Sequence, residues 1–523
     1  MRARTFCLSL FLVLAVAAPH ADAQGNPGEL VIALSSLSAE TVDPILGGQI
    51  VKFYLGMMYD TLVGATPDGR LSRDTGLATR WETSPDSRRI TFTLRKGVKF
   101  HTGDEVTSED VKFSILRAMG PRSTTGYAQG LKALVKDIET PAPDRLVITT
   151  KEPTVMIPTY LSRLLSTEGM VLPKKYLEAK GDDGFMKAPI GSGPYRFVEL
   201  VSGSHIKLEA VPGHWRTGTG APKYKTLVYK AVPEETTRIA MLRRGEADVV
   251  EISRERTKEI EKAGFPVALR KEDTQIQCWW INGTGNLPHK DKRVREAFNL
   301  AIDRKELVSA IFGDYGSPAG ISWALSWYFP EIKFKPNPEQ IYAHDPARAK
   351  KLLADAGFAN GFPVEIYSYQ LPGFPEGRAH AEALAGYWQK VGLQPKLVPV
   401  DYPAFRKKWI ERSAPGSVGC FNVANRDWIG TYALIEKYVS PSARTATIDD
   451  AELAKLVEAT AFQPDQDKAY GMMRSILTRL RSEHHDMPVA YLHTPYATSK
   501  RVGKWNPGSV MYELNLEEIV AGK

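Results

Sequence analysis

Cysteine is scarce in this sequence, with three in 523 residues. There is no Cys-x-x-Cys and no His-Glu-x-x-His, so two common metal and redox signatures are missing. "GTGAP" and "GSGPY" lack the third glycine of a dinucleotide fingerprint, and no P-loop follows a strand pattern. No Gly-x-Ser-x-Gly elbow occurs, which removes the commonest sign of a serine hydrolase. Beyond the first two dozen residues no apolar run approaches the roughly 20 residues that cross a bilayer. Lys and Arg number 68 against 60 Asp and Glu, a net charge of +8, but no basic block concentrates it. A dispersed excess of this size serves solubility and argues against a nucleic-acid partner. No short-period repeat and no low-complexity linker is present, so domains should pack closely.

What is present begins with a leader. Arg2 and Arg4 precede "TFCLSLFLVLAVAA", and "ADA" at 21–23 offers the small residues that a signal peptidase reads. The expectation is a secretory signal peptide cleaved before Gln24. Cys7 lies at the front of the apolar stretch, so no lipid anchor is expected. Cleavage leaves Cys278 and Cys420. A chain this long can bury a large core without disulfides, and two buried free thiols are the favoured reading, with one bridge left open.

"FTLRKGVKFHTGDEVTSEDVKFSI" puts His101, Asp104, Glu105, Glu109 and Asp110 within ten positions. The cluster has the residues of an acid–base or metal site, yet its pattern is structural. Ile90, Phe92 and Leu94 alternate with polar residues as in a strand. Gly103 marks a turn. Thr107 and Asp110 have the spacing of a capping box, and Val111, Ile115 and Met119 follow at helical spacing. Glu109 and Asp110 then sit in a first helical turn, where the helix dipole favours negative charge. "SEHHDMP" is the other metal candidate. Four sequential polar side chains fan apart in most backbone conformations, so a polar helix end before a strand is expected there.

The stretch "LATRWETSPDSRRITFTLRKGVKFHTGDEVTSEDVKFSI" closely resembles the signature of extracellular solute-binding proteins of family 5, the peptide/nickel/opine class of ABC-importer binding proteins. "ETVDPIL", "IGSGPYRFVEL", "MLRRGEADVVE", "DKRVREAFNLAIDRKELV" and "YAHDPARAKKLLADAGF" are similar to further segments of that family, and the likeness covers nearly the whole mature chain. It implies an α/β, bilobal periplasmic-binding-protein fold of type II, in the large cluster with an extra subdomain, joined by a two-segment hinge. Its parts here would be the signal peptide at 1–23, lobe I at 24–271 with the extra subdomain at about 46–185, lobe II at 275–485, and a return to lobe I at 487–523. "TQIQCWWIN" and "MPVAYLHT" would be the hinge segments. Independently of the family, the second half alternates helices and strands, as a sheet with covered faces requires. Asp345 and Pro346 open a helix that Gly357 ends, "FPVEIYSY" is a strand, "PEGRAHAEALAGYWQKVG" is a helix, and "QPKLVPV" is a strand.

The resemblance also implies a function. The protein would capture a short peptide or related zwitterionic solute between its lobes and deliver it, as a monomer in the periplasm, to a membrane permease and its ATPase. It would make and break no bonds and need no cofactor or metal. "NRDWIGTY" resembles the family segment whose first Asp, in peptide-binding members, pairs with the ligand's amino group; here that is Asp427, with Trp428 as the following aromatic. Ile429-Gly430-Thr431 replaces the family's acidic residue and proline, which opens an alternative: an opine, an oligosaccharide, a metallophore or an aromatic organic acid. Arg378 keeps the place of an arginine that clamps a ligand carboxylate in dipeptide-binding members, and a planar guanidinium suits that task. Trp279, Trp280, Trp323 and Trp327 are candidate cleft aromatics, since small-ligand clefts combine apolar walls with a few polar groups. Two further classes stay open. One is a secreted hydrolase using His101 and Asp104 or His484 and His485. The other is a chemosensory or chaperone-like binder without transport.

Overall fold

The computed structural model describes residues 28–523 apart from 67–69, 166, 218–221, 282–286, 321–340, 372, 425–427, 442, 444, 486, 509–513, 517–518, 521 and 523. Eleven strands form one large mixed sheet: β1 (Glu29–Leu34), β2 (Tyr195–Val201), β3 (His205–Ala210), β4 (Thr226–Ala231), β5 (Val249–Glu251), β6 (Val267–Trp280), β7 (Gly316–Pro318), β8 (Pro363–Ser368), β9 (Gln394–Pro399), β10 (Val418–Ala424) and β11 (Met487–Thr498). The order is β9-β8-β10-β6-β11-β5-β1-β4-β3-β2, with β7 on β11.

One half of the sheet is built around β1. "ELVIAL" is apolar on both faces and buried from Leu30 onward, as a strand covered on both sides must be. It runs parallel to both β4 and β5. The other half is built from β8, parallel to both β9 and β10. Two long central strands join the halves. The start of β6, Val267–Arg270, pairs with Ala497–Thr494 of β11. After a register shift, Thr274–Cys278 pairs with Leu492–Met487. The far end of β11 pairs with β5, while the far end of β6 pairs with β10. Each of the two strands therefore belongs to both halves, and the ladder between them is interrupted between Arg270 and Thr274. Thr274–Trp280 of "TQIQCWWIN" and all of "MPVAYLHT" lie within these two strands.

A separate four-stranded antiparallel sheet, Ala78–Thr83, Arg89–Leu94, Arg145–Thr150 and Val135–Ala142 in that spatial order, is packed by the helix Ser108–Ala118. Two helices lead away from strand ends of the second half: α1 (Gly377–Lys390) after β8, and α2 (Trp428–Val439) after β10. In α1, Gly377, His380, Ala381, Leu384, Tyr387 and Trp388 form a buried stripe at helical spacing, and Gly392, at φ 98°, lies just past its end. The helix at Asp345–Pro346 and the strands of "FPVEIYSY" and "QPKLVPV" are where the pattern puts them. Among the described residues no helix is long and apolar enough to cross a membrane.

Cys278 and Cys420 are joined in a disulfide, contrary to the expectation of free thiols. The residues are 142 apart in sequence but directly opposite on β6 and β10, a position that brings two Cβ atoms within bridging reach.

Candidate functional site

The carboxyl ends of parallel strands are where α/β sheets bind ligands, because the loops that follow them diverge into a crevice. Here two such ends face one another across the hinge. β1 and β5 deliver Ser35 and Glu251–Arg254 from one half. From the other, β8 leads to Tyr369, Gly373 and Glu376 ahead of α1, and β10 precedes α2.

A clasp of buried polar groups joins the two sides. Arg254 donates from Nη1 to Glu376 Oε2 at 2.7 Å and from its backbone N–H to Oε1 at 3.1 Å. Its Nη2 reaches the Gly373 carbonyl at 3.1 Å, and its Nε the His493 carbonyl at 2.6 Å. The side chains are 0% and 6% exposed. Glu251 accepts from Ser35 N–H at 2.9 Å and from Gly373 N–H. Charge-assisted bonds of this kind in a buried place fix geometry closely, and losing one partner strands the other charge.

Residues flanking the four-stranded sheet also reach α2 and the helix Ala451–Ala461. Tyr160 donates to Glu436 Oε2 at 2.9 Å, Thr154 donates to the Ala461 carbonyl at 2.8 Å, and Lys437 lies over the Tyr127 ring at 5.1 Å. Burial raises the Glu436 carboxyl to about 7.

The sequence candidates fall into three groups. Asp427, Trp323 and Trp327 lie outside the described residues. Trp428 is the first residue of α2, and Arg378 is the second residue of α1, exposed and without an ion pair among the described residues. Trp279 and Trp280 point to opposite faces of β6, and the structure places both in the core, at 0% and 3% exposure. Trp279 stacks on Tyr438 at 4.5 Å, and Trp280 on His289 at 5.4 Å.

The polar cluster around residues 101–110 is scaffold. His101 Nε2 meets the Gly193 carbonyl at 3.0 Å, and its Nδ1 accepts from Gly191 N–H at 3.3 Å. Asp110 accepts from Thr107 N–H and Lys174 N–H, both at 2.9 Å. His485 binds Asp450 at 2.8 Å while His484 binds Tyr342 at 3.0 Å, so the "SEHHDMP" side chains do diverge. Cys278, Cys420 and His380 bring their ligand atoms within 4.8 Å of one another, but two of the three are spent in the disulfide. A groove of about 320 Å³ lies between the helices Glu235–Arg243 and Thr257–Lys262, with its arginines paired to Glu259 and Glu246.

Sequence reasoning missed Arg254, Glu251 and Glu376. "MLRRGEADVVE" marked the strand that carries Glu251, but nothing in it signals that its side chain would cross to a loop about 120 residues away.

The family profile described as "Bacterial extracellular solute-binding proteins, family 5 Middle" matches residues 74–448. The heme-binding protein A of Haemophilus influenzae is 27% identical over 411 residues, covering 74% of this chain and 72% of the relative. The dipeptide-binding protein of Escherichia coli is 28% identical over 364 residues, 64% of each chain. The di/tripeptide-binding protein 2 of Pseudomonas aeruginosa is 25% identical over 477 residues, 86% of this chain and 85% of the relative. Among solved structures, a periplasmic binding protein of A. tumefaciens R10 in complex with agropinic acid superposes with TM-score 0.81 at 22% identity, over 95% of this chain and 99% of the other. A periplasmic binding protein of Helicobacter pylori in complex with the peptide STSA gives 0.81 at 21% identity, over 95% and 98%. The architecture is thus the bilobal periplasmic-binding-protein fold.

Proposed function

From the premise that this chain belongs to the bacterial extracellular solute-binding proteins of family 5, we propose that it captures a short peptide or related zwitterionic solute in the crevice between β1–β5 and β8–β10. The observation that carries this reading is the clasp. Arg254–Glu376 and Glu251–Gly373 close strand ends of the two halves upon each other across two continuous hinge strands. A crevice closed by discrete contacts over a flexible ladder suits a binder that opens and shuts, with solute free energy shifting the balance.

Asp427 receives the solute's ammonium group, Arg378 its carboxylate, and Trp428 the apolar body between them. Trp323 and Trp327 belong to the same candidate set. Trp279 and Trp280 support the crevice from behind. The lobes divide at 24–271 and 275–485, with the extra subdomain at about 46–185 and residues 487–523 returning to the first lobe. The leader at 1–23 is removed, and the released, unlipidated chain acts as a monomer, without catalysis, on its permease and ATPase. Ile429-Gly430-Thr431, in place of the family's acidic residue and proline, favours a second reading: a non-peptide solute that still carries carboxylates, as an opine does. The test is solute retention after replacing Asp427 or Arg378 by Ala. Each should weaken binding by roughly 2–5 kcal/mol, the cost of leaving a buried partner charge unpaired. Unchanged affinity in both variants would overturn the ion-pair assignment.

A further inference from the structure

Arg270 is a buried cation with an unused donor. It is 3% exposed, and its Nη1 has no hydrogen-bond partner among the described residues. It stands at the end of the first paired stretch of β6, directly before the hinge interruption and opposite Thr494 of β11. Thr494 Oγ1, also buried, is likewise without a partner among the described residues. The guanidinium lies 5.8 Å from the Tyr496 ring centre, a contact that offsets part of its desolvation. Among the described residues, Glu251 and Glu376 are committed elsewhere: Glu251 to two backbone N–H groups and Glu376 to Arg254.

Gly373 covers this group from the opposite half. A Cβ there would stand 3.2 Å from Arg270 Nη2, 3.1 Å from Asn422 Nδ2 and 3.6 Å from Thr494 Oγ1, and φ is 79°. Only glycine both fits the space and adopts that backbone without strain. The guanidinium is therefore roofed by a loop of one half and floored by the hinge strands. Parting the halves lifts the roof.

An isolated buried charge is costly, and proteins pair such groups. We propose that Arg270, with Thr494 as second donor, binds a carboxylate of the solute at the floor of the crevice. This deepens the solute-capture reading, on which it rests for the crevice itself. It narrows the solute to one that buries an anionic group against the hinge, apart from any carboxylate at Arg378.

The test uses refolded, solute-free protein and three probes: an enzymatic casein digest, the same digest with its carboxyls converted to methylamides, and succinate. Binding is followed by native mass spectrometry and thermal shift in wild type, Arg270→Met, Arg270→Lys, Thr494→Val and Arg378→Ala. The expected result is that wild type retains digest peptides but not their amides. Arg270→Met should lose at least about tenfold in affinity, Arg270→Lys less, and Thr494→Val a few-fold. If succinate alone binds, and does so through Arg270, the anion site stands and the peptide reading falls. If peptides bind equally to wild type, Arg270→Met and Thr494→Val but are lost in Arg378→Ala, the peptide reading stands and this inference falls. If amidated and free peptides bind alike, or no carboxylate probe binds wild type, the inference is overturned. Should Arg270→Met fail to fold, Thr494→Val and Arg270→Lys decide the same question.

Discussion

At the scale of single residues, the clasp should behave as a linked unit. Glu376→Ala leaves the Arg254 guanidinium buried at 0% exposure with only carbonyl acceptors. Breaking a buried pair on one side costs about 3–5 kcal/mol. Because the pair spans the two halves, that cost falls on the closed arrangement. Small-angle scattering of Glu376→Ala should give a larger radius of gyration than wild type, together with weaker solute retention. An unchanged radius and affinity would show that the pair is only internal support. The disulfide is a second residue-scale case. It closes a 142-residue loop, and replacing both Cys278 and Cys420 by Ala should lower stability to urea by about 3–5 kcal/mol. His380 beside it is held neutral, since burial among Phe312 and Phe374 pushes its ring down to about 3.

At the scale of elements, α2 is the piece on which most converges. Its start adjoins Asp427, Tyr438 backs Trp279, and Glu436 meets Tyr160 of the short helix Ile157–Tyr160. The Glu436 carboxyl is raised by burial to about 7 in the folded protein from an ordinary 4.5. The folded state therefore binds this proton more tightly than the unfolded state does. Stability is highest below the unfolded value and is lost as pH climbs from about 4.5 to about 7. Glu436→Gln keeps the shape without the titration. Compared with wild type, it should gain relative stability as pH rises across that window, read as the difference in melting temperature at pH 5 and pH 8. A pH-independent difference would mean that the carboxyl is not buried as described.

The elements also show how far sequence reading reaches. The helix at Asp345–Asp355 was legible because cap, proline and apolar stripe are local and agree. The scaffold role of Asp110 was legible for the same reason, its capping partner being three residues away. The two long central strands were singled out through the family resemblance, not through periodicity. The disulfide and the clasp were not legible. Each depends on residues more than a hundred positions apart becoming neighbours, and the sheet order that makes them so leaves no local trace. Trp279 and Trp280 illustrate a further limit. Alternation in a strand says that they face opposite ways, but not which layer covers each face.

At the scale of the whole molecule, the two halves share one sheet, and the two strands that join them shift register between Arg270 and Thr274. Parting the halves would break the polar contacts of the clasp together with those that Tyr160 and Thr154 make to the second half. Solute binding should shift the population of the two arrangements. The most direct measurement is native mass spectrometry of the mature chain isolated from a periplasm, followed by denaturing release and re-addition of whatever small molecule it carried. The expected result is one carboxylate-bearing solute per chain, released intact, taken up again unaltered, and accompanied by a smaller radius of gyration. A chain that carries nothing and takes up nothing, or one that returns the solute cleaved, would contradict the account.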